Sequence, residues 1–165
     1  MKYLNAKAFA LIVCMSALGN ALGFLGIRLP SAPGTNVEFH LSALPALLVT
    51  ISINPAAGAI TGLLSVIIST LRIGNIFIPF GNALLAAIAG LLHGRFRLSP
   101  PVCGALAVIP YAPYIWLACT VYGVPSPVIS FIIVKALIEL LISGIIVELV
   151  LSRREIRNFF SSFRT

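Results

Sequence analysis

Lys135 and Glu139 stand four residues apart in the run Val128 to Val147, which carries no other charged residue. On a helix that spacing puts both side chains on one face. Each costs about 2.5–3.5 kcal/mol at the centre of an inserted helix, so something must compensate them. Two arrangements would do so. The pair can neutralise itself and lock helix packing, or Lys135 can face a cavity and hold an anionic or carbonyl group of a ligand, with Glu139 positioning it. Counted from Pro127, Lys135 lies roughly 12 Å into the run and Glu139 about one turn deeper.

Other polar and aromatic residues gather toward the same end of the expected helices. Asn36, Glu38 and His40 precede the second apolar run, Arg72 and Asn75 follow the third, Asn82 opens the fourth and Tyr122 closes the fifth. Tyr111, Tyr114 and Trp116 lie deeper in the fifth run beside Pro110 and Pro113, which are expected to bend it. Aromatic rings beside amide and cationic groups suit a flat heterocyclic ligand. Trp116 and Tyr122 equally suit core packing or a membrane interface, and Asn82 equally suits a helix cross-link.

Patterns of catalysis are missing. The chain has no His-Glu-x-x-His, no Gly-x-Ser-x-Gly, no phosphate loop and no aspartate at all, and His40 and His93 stand apart. No enzyme activity, metal or cofactor is expected. Without a Walker motif, energised transport would require other subunits. Cys14, Cys103 and Cys119 are widely spaced and odd in number, which argues for buried small hydrophobes over disulfides or zinc.

The elements that must carry these residues are apolar helices. Hydrophobic residues make up 59% of the 165 and charged ones 9%, and the mean hydropathy is +1.09. That is the composition of a polytopic membrane protein. The formal charge of +7 is confined to the edges of apolar runs, where it sets topology, so nucleic acid is not an expected partner. Apolar length and breakers predict an all-α membrane bundle of about six helices in a single domain over 1–165, with spans 7–27, 39–53, 55–71, 78–92, 101–122 and 127–151. The N-terminal run continues past Leu25, longer than a secretion signal needs, and is taken as a retained first span. Placing Lys2, Lys7, Arg95, Arg97 and the arginines of the tail on one side leaves only Arg28 and Arg72 on the other. Both termini are then cytoplasmic by the positive-inside rule. The second and third spans are short and meet at Asn54-Pro55, so 39–71 can be two crossings or a re-entrant hairpin; full crossing is preferred, because it leaves no backbone unpaired against lipid. The tail 152–165 combines Arg153, Arg154, Arg157 and Arg164 with Phe159, Phe160 and Phe163, as a helix lying on the bilayer surface would.

The first span carries small residues four apart: Ala17 with Ala21, Gly19 with Gly23 and, more weakly, Ser16 with Asn20. Such spacing lets two helices approach closely, within the chain or toward a partner.

About six short helices, cytoplasmic termini, Ala17-x-x-x-Ala21, and Pro125-Ser126-Pro127 leading into Val134-Lys135-Ala136-Leu137-Ile138-Glu139 together resemble the S component of energy-coupling factor (ECF) transporters over nearly the whole chain. The resemblance implies a subunit of the cell membrane that captures a vitamin, precursor or related micronutrient from outside. It further implies docking on a transmembrane T component coupled to cytoplasmic ATPase subunits. Ala17 and Ala21, with Gly19 and Gly23 on the same helix, would form the docking face. Lys135 would contact ligand, and the loops after the first, third and fifth spans bring in Asn36, Glu38, Arg72 and Asn75. The chain lacks an N-terminal Met-His pair, which argues against nickel or cobalt, and matches no intact thiamin, riboflavin or biotin signature. The alternative is a non-transport scaffold resembling rod-shape-determining membrane proteins, in which Lys135 and Glu139 simply pair.

Overall fold

Proline, glycine and asparagine divide the apolar sequence into eight helices and one hairpin among the described residues. The computed structural model describes residues 6–32 and 35–163, the side chains at 28, 31, 32, 35 and 36 lying outside the described set. Helix α1 (Ala6–Phe24) leads into an antiparallel hairpin of β1 (Ile27–Ala32) and β2 (Thr35–Phe39), followed by α2 (Ala43–Ser52), α3 (Pro55–Leu64) and α4 (Ile67–Ile73). Then come α5 (Phe77–Phe96), α6 (Pro100–Val121), α7 (Ser126–Ser152) and α8 (Arg154–Ser161).

The hairpin is an addition to the all-α bundle expected from sequence. Ile27 pairs with Phe39, and Leu29 with Val37. β-branched and aromatic residues favour the extended chain, and Pro30, which cannot donate, is tolerated because a two-stranded ribbon has only edge strands.

Four helices, α1, α5, α6 and α7, are long and apolar enough to cross a membrane, or five spans if the bent pair α3–α4 counts as one. The expected second span, 39–53, is instead the end of β2 plus a ten-residue helix. At about 1.5 Å per residue, α2 covers about half of a hydrocarbon core of about 30 Å. Every residue from Pro45 to Ser52 is buried, because α1, α3, α5 and α7 all pack around it. Non-helical backbone at that depth is tolerated when protein, rather than lipid, encloses it.

Between α3 and α4 the axis turns by 41°, and the break is held by a side chain of α1. Asn20 donates to the Leu64 carbonyl at 2.7 Å and accepts from the Ile68 amide at 2.9 Å. Both are backbone groups for which the helix break must find partners. Other boundaries are local: Asn54 caps α3 by accepting from the Ala57 amide at 2.8 Å, and Pro100 opens α6. Helix α6 continues through Pro110 and Pro113.

Leu47 of α2, Leu85 and Ala89 of α5, Ala107 of α6 and Leu140 of α7 meet in the main core. Phe160 of α8 joins it, only 4% exposed. The tail expected to rest its aromatic residues in the headgroup layer thus tucks one of them under the bundle, while Phe159 stays exposed. Cys103 and Cys119 are buried as expected, and Cys14 is exposed.

Candidate ligand-binding site

Small side chains leave space where the hairpin meets the helix ends. Gly81 lets the rings of α6 pack closely on α5, since a Cβ there would stand 2.8 Å from both the Tyr111 hydroxyl and the Tyr114 ring. Ala43, Ala118 and Ala136 leave further room on α2, α6 and α7. The result is a cavity of about 500 Å³, within the roughly 300–1,000 Å³ of small-molecule sites.

Lys135 and Glu139 both line it. Their ion pair is formed, Nζ to Oε2 at 2.9 Å, and the His40 backbone amide donates to Glu139 Oε1 at 2.6 Å. Glu139 therefore has both oxygens engaged, which offsets much of the cost of burying a carboxylate at 7% exposure. Among the described residues Lys135 has Glu139 as its sole polar partner, so two of its three ammonium protons remain to be donated.

The connection from β2 to α2 supplies His40 and Ser42, whose Nδ1 and Oγ lie 2.8 Å apart.

One wall is aromatic. Tyr111 and Tyr114 stack with centroids 5.9 Å apart and planes 18° from parallel. Phe77 meets Tyr114 and Tyr122 edge-on at 6.5 and 6.1 Å. The Tyr114 hydroxyl donates to the Phe77 carbonyl at 2.7 Å, and Asn75 accepts from the Phe77 amide at 2.9 Å, so the start of α5 is fixed against α6. The Tyr111 hydroxyl has no hydrogen-bond partner among the described residues. Val128 and Ile132 of α7 add aliphatic lining.

Of the residues singled out from sequence, Lys135, Glu139, Asn82, Tyr111, Tyr114, Asn75 and Glu38 line this one cavity. Asn82 also reaches the Gly62 carbonyl and Ser65 Oγ, both at 3.4 Å. Arg72 does not line it and is corrected to a rim residue: its guanidinium pairs with Glu38 and approaches the Gly23 carbonyl at 3.4 Å, tying β2 to α4. The Asn36 side chain lies outside the described residues. His40, grouped from sequence with the polar residues before the second run but given no contact role, lines it too, whereas Ser42 and Phe77 were missed; nothing local marks Phe77.

The small-residue pairs of α1 separate. Ala17 and Ala21 are exposed, whereas Gly19 and Gly23 are buried. A Cβ at Gly19 would collide with the Ser65 side chain, and one at Gly23 would stand 2.9 Å from Ser69 Oγ. The expectation that these glycines face a partner is thereby corrected, because they pack α1 against this chain's own residues. Glu148, near the end of α7, is exposed with no ion pair among the described residues.

No protein-family model and no curated protein sequence matches the chain. A solved structure described as the S component of a bacterial ECF transporter superposes with a TM-score of 0.68 at 23% identity, over 93% of this chain and 96% of that one. The chain has the fold of that S component, a helical membrane bundle with a cavity at its hairpin end.

Proposed function

We propose that the chain is the substrate-binding membrane subunit of an ECF-type transporter, which captures a vitamin, precursor or related micronutrient for ATP-driven uptake by partner subunits. The observation that carries this reading is the cavity itself, which opens beside the Lys135–Glu139 pair and gathers polar residues from the hairpin, the β2–α2 connection, α5, α6 and α7. A scaffold accounts for the ion pair but has no use for a hollow of about 500 Å³ beside it. The protein sits in the cell membrane with both termini cytoplasmic. Lys7, Arg95, Arg97, Arg153, Arg154 and Arg157 then mark the inner end, and the hairpin and cavity face outward. On this reading α1, α2, the bent pair α3–α4, α5, α6 and α7 make six crossings, the second completed by enclosed non-helical chain. Ala17 and Ala21 form the exposed docking face for a transmembrane T component coupled to ATPase subunits.

The test is mass spectrometry of small molecules extracted from gently purified protein. A stoichiometric compound released on denaturation, and lost in the Lys135→Met variant, is the expected result. A wild-type protein that retains nothing, and takes up nothing from a cell extract, refutes capture.

A further inference from the structure

Among the described residues the charges around the cavity cancel in pairs, and this limits what the cavity can hold. Lys135 is the one cation among its described lining residues, and it already pairs with Glu139. Glu38, the other lining carboxylate, is paired with Arg72 at the rim. A phosphate or a second carboxylate would meet a single ammonium that is already neutralised, with two carboxylates nearby. A cation would have to compete for a Glu139 whose oxygens both accept hydrogen bonds. Among the described residues neither sign of charge is matched by a free counter-charge, and desolvating an unmatched ion in such a site is costly.

Lys135 and Glu139 nevertheless present something specific. One is a donor with protons to spare, the other an acceptor with unused lone pairs, and their polar atoms are 2.9 Å apart. That is the complement of an acceptor and a donor side by side on a ligand, the pattern of a lactam or imide edge. The stacked Tyr111 and Tyr114 rings, with Val128 and Ile132 also lining the cavity, offer aromatic and aliphatic surface suited to a flat ring.

Resting on the capture reading above, we propose that the ligand is a planar heterocycle of zero net charge with a lactam or imide edge, and that this edge is read by the Lys135–Glu139 pair acting as one donor–acceptor unit. The carboxylate of Glu139 thus does two things: it reads the ligand, and it cancels the charge that would otherwise favour anions.

The test is isothermal titration of the purified chain in lipid nanodiscs with four probes: quinazoline-2,4-dione, its N3-methyl derivative, quinoline-2-carboxylate and 1-methylquinolinium. Quinazoline-2,4-dione is expected to bind saturably. Methylation at N3, and either ionic probe, should weaken binding by about tenfold or more. In Glu139→Gln the preference should shift toward quinoline-2-carboxylate by about tenfold relative to the dione, because the ammonium is no longer cancelled. Melting curves establish that the variant is folded, and if it does not fold, the wild-type ranking decides alone. Equal or tighter binding of either ionic probe to the wild type, indifference to N3 methylation, or no binding by any probe overturns the proposal. The transport reading fails separately. A charged or non-planar compound recovered from the purified protein removes this ligand class and leaves capture standing, whereas an empty protein removes capture itself.

Discussion

Replacing Lys135 by methionine keeps most of the side-chain volume and removes the ammonium. Glu139, 7% exposed, then loses its contact at 2.9 Å and keeps only the His40 amide at 2.6 Å. Breaking a buried pair from one side costs about 3–5 kcal/mol, because the remaining charge is left uncompensated. The lower end, about 3 kcal/mol, applies here, since the amide hydrogen bond survives. The double variant Lys135→Met/Glu139→Gln leaves no charge stranded and should recover most of that loss. Ligand affinity should fall in both, by about 10- to 100-fold for a lost hydrogen bond to a charged donor worth about 1.5–3 kcal/mol. The assay is a double-mutant cycle in nanodiscs, reading melting midpoint and retention of the copurified small molecule on the same four proteins. Stability that recovers in the double variant while binding does not separates the packing role of the pair from its ligand role. The reasoning is refuted if the single variant melts and retains ligand like the wild type, or if the two substitutions add with no coupling.

Ala17→Leu and Ala21→Leu should leave ligand retention intact and abolish uptake and assembly with the coupling subunits, measured by transport in cells and by copurification; loss of ligand with intact assembly would contradict that separation. Asn20→Leu strands the Leu64 carbonyl and the Ile68 amide at the α3–α4 break. At about 1–3 kcal/mol for each of the two unsatisfied groups it should cost about 2–6 kcal/mol, with faster hydrogen exchange at the Ile68 amide; an unchanged rate would show that the break does not depend on α1.

What could be read locally was read correctly. Apolar length and the prolines at 55, 100, 125 and 127 place the starts of α3, α6 and α7 within a residue or two, because hydropathy and missing donors act on the chain where they stand. The Lys135–Glu139 pair is legible for the same reason, since a helix brings residues four apart together whatever surrounds it. Gly19 and Gly23 show where such reading stops. They lie about 200° around α1 from Ala17 and Ala21, at 3.6 residues per turn. Composition is alike on both faces, and only the position of Ser65 and Ser69 decides which face is filled. Arg72 likewise could serve pocket or rim until β2 set Glu38 beside it.

The sequence by itself therefore determined a membrane bundle, most of its helix boundaries and a charged pair in an apolar span. Tertiary structure alone decided that 27–39 is a hairpin, that α2 can be short because its neighbours enclose it, and that a cavity opens beside the pair. A cavity is space left between elements distant in sequence, and its volume depends on how their side chains interlock, which no single segment encodes.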